Sequence, residues 1–352
     1  MSNLPRLLVL IALALVSVQV QGVQLKIATL TPEGSGWMEA MRAGAKEIKQ
    51  RTEGRVIIKL YGGGTQGSDK TVLRLMRVGK LQGATFTGSG LVDRFPTIQL
   101  YSLPMVFRSL DEVDYVRERM DDTLMEEMKS VGLIGFGIAE GGFARMMSSS
   151  PVREPDDLAG KKVWVPEGDT SSYDAMKAMG LSPVALPLTD VMIGLQTGLI
   201  DVVTNSAVGA IVLQWHTRVK YVMQLPLVYI IGFLVIEEKA FDRLTPGDRE
   251  IVSEVMQRVY EEFDESNRID DAAAAKALIE QGLVEIEPDQ EHVAEWRKAV
   301  MESNRALAEK GEVDLGLFNR MMGYLEEYRA QQGGRAGPVD AGTAAALVDG
   351  SE

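Results

Sequence analysis

A long helical stretch near the C-terminal end constrains the architecture of this chain most. Thr245-Pro246 is a favourable helix start, because proline at the first helical position loses no helical hydrogen bond, and Gly282 is a favourable stop. The residues from Asp248 to Gln281 contain neither glycine nor proline. About 35 helical residues at 1.5 Å each span roughly 50 Å. Such a helix is longer than one domain of ~100 residues, and it predicts a spine that crosses two domains.

Strands and helices alternate upstream of this helix. Segments that are rich in β-forming residues predict strands, and apolar residues at helical spacing predict helices. The predicted strands are 24–30, 55–61, 83–87, 132–139, 161–165, 200–204 and 225–236, with helices at 37–52, 68–78, 112–131, 171–179 and 189–197. Strand 284–286 and helices 291–309 and 315–331 follow the long helix. This order is typical of α/β layers with largely parallel sheets.

Both ends of the chain differ from the rest in composition. Arg6 precedes an unbroken apolar run, residues 7–16, and a small residue, Gly22, follows it. The run is shorter than the ~20 apolar residues that span a bilayer. It is typical of a cleavable signal peptide at 1–22, with an uncleaved anchor as the alternative, and predicts a periplasmic protein. Residues 332–352 are rich in Gly, Ala and polar residues, which predicts a disordered tail.

Composition also excludes several kinds of chemistry. The chain has no cysteine, so disulfides, thiolate nucleophiles and cysteine-ligated metals are excluded. Two histidines, His216 and His292, make a histidine-built metal site improbable. The 37 Lys and Arg against 50 Asp and Glu give a net charge of −13, which repels phosphate backbones. We expect no metal, no cofactor and no nucleic-acid partner.

The motifs that suggest catalysis are incomplete. Residues 62–67 read GGGTQG, but a phosphate-binding loop ends in Gly-Lys-Ser/Thr, and here Ser68-Asp69 follows. Asp69 would repel a phosphate, so this loop is predicted to be a turn between a strand and a helix. No set of residues composes a catalytic centre, which predicts that the chain is not an enzyme. Met146 or Met147 is a candidate for a pliable apolar pocket, with core packing as the alternative.

Four segments carry a resemblance to a known family. They are KIATLTPEGSGWMEAM (26–41), GGGTQGSDKTVLRLMRVGKLQG (62–83), PDDLAGKKVWVP (155–166) and GLSPVALPLTDVMIGLQTGLIDVVTN (180–205). Their order resembles that of the solute-binding proteins of TRAP-type (tripartite ATP-independent periplasmic) transporters. The Leu-Gln-Thr-Gly-x-Ile-Asp run, with Asn205 four residues beyond Asp201, is the most specific part.

The resemblance implies a periplasmic binding protein-like α/β fold. Two α/β lobes would surround a cleft and be joined by hinge strands and the long spine helix. Residues 23–140 with about 230–262 would form the first lobe, and 141–229 with about 263–331 the second. Such a protein captures a small ligand by cleft closure and delivers it to a membrane permease. The Val-Trp-Val-Pro-Glu-Gly-Asp version at 163–169 is similar to a subset associated with a TPR-repeat partner protein, and Trp215 is a candidate for that partner surface, with core packing as the alternative.

One position departs from the family pattern. Most members read Val-Arg-Val-Pro where this chain has Trp164, and that arginine holds a substrate carboxylate through two hydrogen bonds. Losing a buried guanidinium clamp typically costs ~2–5 kcal/mol of carboxylate affinity. Two acids, Glu167 and Asp169, follow and argue further against an anionic ligand. Arg145 lies near a second basic position of the family and is the candidate for restoring anion binding.

These considerations predict a set of ligand contacts. Trp164 and Phe143 would bury an apolar part of the ligand, and Trp37 would line the cleft. For Trp164 and for Trp37, packing in the core is the alternative. The predicted polar contacts are Asn205 and Gln66 as hydrogen-bonding groups and Arg145 for a single acidic group. The ligand is then apolar or amphipathic, or else a carboxylate. A ligand-free scaffold or sensor subunit that binds a partner protein, and an enzyme on the same fold, are the competing hypotheses.

Overall fold

The computed structural model describes residues 22–335. Its strands are β1 Val23–Ala28, β2 Val56–Tyr61, β3 Gly83–Thr87, β4 Leu133–Gly135, β5 Ala139–Ser148, β6 Lys162–Pro166, β7 Ser182–Leu186, β8 Val202–Asn205, β9 Tyr221–Met223, β10 Val228–Glu237 and β11 Val284–Ile286. Its α-helices are α1 Gly36–Arg51, α2 Asp69–Arg77, α3 Gly88–Leu91, α4 Leu110–Ser130, α5 Thr170–Ala178, α6 Val191–Thr197, α7 Ala207–Val212, α8 Glu238–Phe241, α9 Pro246–Glu280, α10 Gln290–Glu309 and α11 Leu315–Arg335. Short 3-10 turns lie at Pro96–Ser102, Pro155–Leu158, Leu188–Asp190 and Trp215–Thr217.

The two predicted end segments fall almost entirely outside this range. The signal peptide (1–22) lies beyond the described residues except for Gly22. Of the predicted tail (332–352), residues 332–335 belong to α11, and the rest lies outside the described residues. Within residues 22–335, no helix combines the length and the apolar character needed to cross a membrane.

The strands form one mixed sheet in the order β2-β1-β3-β10-β5-β8-β6-β7. The outer strands at each end pair in parallel, but β10 pairs antiparallel with β3 and β5, and β5 pairs antiparallel with β8. The prediction of largely parallel sheets therefore holds only for the outer strands. The cause is that two ten-residue strands, β5 and β10, pass from one half of the sheet to the other.

These two central strands bend where the halves meet. Their register shifts between Ile230 and Ile231, opposite Gly141. A Cβ at Gly141 would lie 2.5 Å from Ile230 Cγ2, so a side chain does not fit there. Irregularities of this kind bend a strand and increase its twist. β5 and β10 are therefore the hinge strands, and the prediction that a strand covers 132–139 is corrected to β4 and the start of β5.

Long helix α9 spans both halves, as predicted. It has 35 residues and begins where Thr245 Oγ1 accepts a hydrogen bond from Asp248 N. Its first half buries Val252, Met256 and Tyr260 in a core shared with α1 and β1, whereas Leu278 near its end lies in the core of the second half.

Helix α11 differs from its predicted place. The sequence assigned residues 263–331 to the second lobe, but Phe318, Met321 and Leu325 share a core with Val113 and Met120 of α4, in the first lobe. Arg329 on α11 also binds Glu112 on α4, with 2.7 Å between Nε and Oε1. The chain thus returns to the first lobe at its C-terminal end.

Candidate ligand-binding cleft

A cavity of about 710 Å³ lies between the two halves of the molecule. Its walls include the residues that follow the carboxyl ends of several strands, among them Thr31 after β1, Thr87 in β3, Glu167 after β6 and Pro187 after β7. In open α/β sheets this is the edge at which ligands bind. A cavity of this volume lies within the range that encloses drug-sized ligands.

The two lobes contact each other beside this cavity. Lys70 Nζ on α2 donates to Glu167 Oε1 over 3.1 Å. A Cβ at Gly64 would lie 3.0 Å from Thr189 Cγ2, and one at Gly168 would lie 3.4 Å from the Ser89 carbonyl oxygen. The GGGTQG loop is therefore part of the contact between the lobes, and the cleft is in a closed arrangement.

The charged side chains that line the cavity are all acidic. Among the described residues that line it there are six carboxyl side chains and no lysine, arginine or histidine. Four of these carboxyls belong to Asp69, Glu140, Glu167 and Asp169. The other two belong to Glu262 and Asp270, which are exposed on α9. Glu140 is paired, because Arg268 Nη2 lies 2.8 Å from its Oε2 and Tyr229 Oη donates to the same atom.

Two of the carboxyls have raised pKa values. Burial, followed by the negative charge of Glu167, raises the pKa of Asp69 from 3.8 to about 7. Asp69 is half-buried and lines the cavity. Burial also raises the pKa of Asp169, although this carboxylate caps α5 by accepting from Ser172 N at 2.9 Å and Ser171 Oγ at 2.8 Å.

Trp164 lines the cavity and is itself buried. Its exposed fraction is 3%, and its indole N–H donates to the Leu186 carbonyl over 3.0 Å. Its ring meets Trp215 edge to face. Trp164 therefore offers a ligand an apolar surface and no hydrogen-bond donor. Trp215 is 1% exposed, which decides between its two predicted roles in favour of core packing.

Asn205 and Trp37 also line the cavity. Asn205 ends β8, is 9% exposed, and uses Oδ1 to accept from Ser206 N at 2.9 Å. Trp37 lies on α1 and packs against two aromatic rings of α9, Phe263 at 5.7 Å and Tyr260 at 6.4 Å between centroids. Both predicted roles of Trp37 thus apply, because it packs against α9 and faces the cleft.

The other three predicted residues do not line the cavity. Phe143 and Arg145 lie on β5 beside Ala144 and Met146, which do line it. Phe143 packs against Tyr229 in the first-lobe core, and the charge of Arg145 acts on Asp271 of α9. Gln66 lies beside a separate, smaller crevice.

Several residues of the cavity were not predicted. One end of the cavity is an apolar chamber that enters the second-lobe core and is lined by Met105, Met146, Leu158, Ala175, Met176, Trp296 and Val300. Met146 was a candidate, and its neighbour Met147 packs elsewhere in the core. Two buried polar atoms, Gln99 Oε1 and Asn267 Nδ2, have no hydrogen-bond partner among the described residues. Leaving such an atom unpaired costs about 1–3 kcal/mol.

Comparison with known proteins agrees with this geometry. Residues 27–310 match bacterial extracellular solute-binding protein family 7, DctP. An uncharacterised protein, YiiZ of Salmonella typhimurium, is 26% identical over 61% of this chain and 66% of that protein. The C4-dicarboxylate-binding periplasmic protein DctP of Rhodobacter capsulatus is 24% identical over 81% of this chain and 85% of that protein.

A solved structure has the same fold. The TRAP periplasmic solute-binding protein of Xanthobacter autotrophicus, with bound β-D-galacturonate, superposes with a TM-score of 0.78 at 21% identity. The superposition covers 86% of this chain and 99% of that one. The predicted two-lobed α/β fold is therefore confirmed, and so is the expectation of a binding protein that is not an enzyme. This chain belongs to family 7 of the bacterial extracellular solute-binding proteins, the DctP family of TRAP transporters.

Proposed function

We propose that the chain binds an apolar or amphipathic solute that has no carboxylate and delivers it to the permease of a TRAP transporter. One observation carries the proposal: the described lining of the cavity combines an apolar chamber with carboxyl groups and contains no cationic side chain. A carboxylate enclosed there would lack a partner, and burying an unpaired charge costs several kcal/mol.

The apolar chamber supplies the binding energy that the missing arginine would have supplied. Met176 on α5 and Trp296 and Val300 on α10 line it, and all three belong to a buried core. Each methylene group transferred from water to such a site contributes about 0.8 kcal/mol. A chain of eight methylenes therefore contributes about 6 kcal/mol before entropy costs, which exceeds the ~2–5 kcal/mol of an arginine–carboxylate clamp.

The two relatives described above have ligands of a different chemical class from the one proposed here. The Rhodobacter capsulatus protein is a C4-dicarboxylate-binding protein, and the Xanthobacter autotrophicus protein holds β-D-galacturonate. Both ligands carry carboxylates. In this chain Trp164 lines the cavity at the position where the family pattern has arginine, and Arg145 is not among the described residues that line it. We therefore assign ligand contacts to Trp37, Trp164 and Asn205 and none to Arg145.

The remaining parts of the chain fit the same role. Residues 1–22 would direct export to the periplasm as a cleavable signal peptide. The first lobe would contain 23–140, about 230–262 and α11, and the second lobe 141–229 with about 263–306. Partnership with a TPR-repeat protein rests on the sequence resemblance at 163–169. The ligand-free scaffold is disfavoured because its cleft would be filled, whereas this one encloses about 710 Å³.

Native mass spectrometry of the exported protein tests the proposal, followed by denaturing extraction of any retained molecule. A series of 1-alkanols and matching alkanoates then gives affinities by titration calorimetry. We expect the alkanol affinity to rise with chain length and Ala175→Met, inside the chamber, to abolish that rise. Ala178→Met, on the exposed face of the same helix, is the control. Retention of a dicarboxylate or sugar acid, with no alkanol binding, would overturn the proposal.

A further inference from the structure

We propose that Met105 is a specificity-determining residue, which limits the length of the apolar tail that the ligand places in the chamber. This inference rests on the proposed function and concerns the same site. It depends on the place of Met105 in the fold. The residue belongs to 23–140, which we assign to the first lobe, but it lies in the wall of a chamber that enters the core of the second lobe.

Met105 packs differently from its neighbours in the sequence. Leu103, Val106 and Phe107 belong to the core of the first lobe. Met105 is 3% exposed and belongs instead to the second-lobe core, together with the other residues that line the chamber. Of those lining residues, it is the one that comes from the first lobe. A ligand tail in the chamber would therefore contact the first lobe at Met105.

The backbone of Met105 has an unfavourable conformation. Its φ is +57°, in the left-handed region that glycine and asparagine tolerate better than methionine. Of the three non-glycine residues with positive φ in the described chain, Glu53 and Gln214 are exposed and Met105 is buried. Such conformations persist where the surrounding structure holds them, and they are frequent at ligand-binding sites. Because glycine would adopt this backbone at lower cost, the methionine side chain itself has a role here.

Backbone hydrogen bonds fix Met105 beside the cavity. Met105 N donates to the Leu227 carbonyl oxygen over 2.6 Å, and Leu227 N donates to the Ala144 carbonyl oxygen over 3.0 Å. Ala144 and Leu227 both line the cavity. The three residues joined in this way form a continuous part of its wall.

Helix α10 holds the same segment through two side chains. Arg297 Nη1 donates to the Met105 carbonyl oxygen, and Asn304 Nδ2 donates to the Pro104 carbonyl oxygen over 2.9 Å. Val300 is three residues from Arg297 and four from Asn304, so all three lie on one face of the helix. Val300 lines the chamber, which places the segment against the same wall. Both backbone polar groups of Met105 are thus paired, and its thioether side chain is what it offers a ligand.

A methionine in this place occupies space that a ligand tail would otherwise fill. Its unbranched side chain adapts to neighbours of different shape, which suits contact with a flexible alkyl tail. Met105→Ala removes Cγ, Sδ and Cε. Because a core relaxes only partly around such a deletion, the space freed would admit about two further methylene groups.

Titration calorimetry with 1-alkanols from 1-hexanol to 1-dodecanol, on the full mature chain, tests the inference. In the natural protein we expect affinity to rise with chain length up to a limit. Met105→Ala should move that limit up by about two carbons, with roughly tenfold tighter binding than the natural protein at the new limit. Met105→Gly should do the same, and it also removes the cost of the positive φ, so it serves if the alanine variant does not fold. Met105→Leu, of similar volume, should retain the natural limit.

Met147→Ala is the matched control. It deletes the same atoms from a core of the second lobe, where Met147 is 1% exposed and is not among the described residues that line the cavity. Its chain-length limit should equal that of the natural protein.

The outcomes separate this inference from the proposed function. A limit that neither Met105→Ala nor Met105→Gly changes would overturn the role of Met105 alone. An equal shift in Met147→Ala, or an affinity that rises through 1-dodecanol without limit in the natural protein, would do the same. No binding of any alkanol by the natural protein would overturn the proposed function as well.

Discussion

Trp164 and Trp215 meet edge to face in the second lobe, with ring centroids 5.1 Å apart and planes at 82°. Both rings are buried, but only Trp164 is among the residues that line the cavity. The pair therefore links the wall of the cleft to the core behind it. This difference between two rings in contact allows ligand contact to be separated from packing.

Trp164→Ala should weaken the binding of an apolar ligand by about 2 kcal/mol, because a large aromatic surface leaves the wall of the site. Trp215→Ala is the matched control. Each change should lower the free energy of unfolding by about 3–5 kcal/mol through the cavity it creates. Calorimetric titration with 1-decanol measures the affinity, and urea unfolding measures the stability. Equal loss of affinity in both variants would refute a direct role for Trp164.

Arg145→Met should leave the affinity for every ligand unchanged within twofold. The side chain is not among the described residues that line the cavity, and its charge acts on Asp271. Asn205→Ala on the paired strand should weaken binding, since Asn205 does line the cavity. The two variants are compared by titration with the retained ligand or with 1-decanol. A tenfold loss in Arg145→Met would contradict the assignment of Arg145 outside the ligand site.

The sequence predicted the elements that local signals define. Helix α1 starts where Ser35 Oγ accepts from Met38 N, and α9 starts at Thr245-Pro246. Both signals are local, and both helices lie within a residue or two of their predicted bounds. Strand β5 was missed beyond its first residue, because AEGGFARMMS contains two glycines and lacks a clear alternation. Pairing with β10 on one side and β8 on the other makes it a strand.

The candidate site was predictable only in part, because some of its residues are placed by strand pairing rather than by local sequence signals. Trp164 and Asn205 lie in the family-like segments and do line the cavity. Phe143 and Arg145 were assigned to the cleft, although the direction of a side chain on β5 depends on a register that only the folded sheet sets.

The pH dependence of the free energy of unfolding should reveal the raised pKa of Asp69. Burial raises its folded-state pKa from 3.8 to about 7, so the folded chain holds more protons on this group than the unfolded chain between those values. This carboxyl therefore destabilises the fold increasingly as the pH rises from about 4 to 7, and its full cost is present above pH 7. Asp69→Asn should be more stable than the natural protein at about pH 8, by a margin that shrinks towards pH 5.

Asp248 provides a control, because its pKa is shifted in the opposite direction to that of Asp69. Hydrogen bonds from Arg55 lower the pKa of Asp248 below 3.8, so its contribution is present above that value and is lost as the pH falls through the lowered one. Asp248→Asn should lose the same stability at about pH 5 and about pH 8. Urea unfolding at both pH values measures all three proteins. A pH-independent margin for Asp69→Asn would show that Asp69 has an ordinary pKa.

Arg268→Met should destabilise the hinge region strongly. Arg268 Nε lies 2.9 Å from Glu140 Oε2, and its Nη1 lies 2.9 Å from Asp114 Oδ2 on α4. Glu140 is 3% exposed, and removing its partner leaves a buried charge, at a cost of about 3 kcal/mol or more. Glu140→Gln in the same chain should recover part of this loss. Urea unfolding of the two single variants and the double variant gives the coupling, and additive losses would rule out a paired role.

Gly64→Ala should weaken ligand binding by disturbing the closed cleft. Gly64 and Gly63 both have positive φ, +68° and +62°, so alanine at either position costs about 1–2 kcal/mol of backbone strain. Only at Gly64 would the new Cβ press on the other lobe, 3.0 Å from Thr189 Cγ2, whereas Gly63 has nothing within 4 Å. We expect equal losses of thermal stability and an affinity at least threefold weaker in Gly64→Ala than in Gly63→Ala. Small-angle X-ray scattering with saturating ligand should show a more open molecule for Gly64→Ala alone. Equal affinities would mean that the GGGTQG loop is a turn without a role in closure.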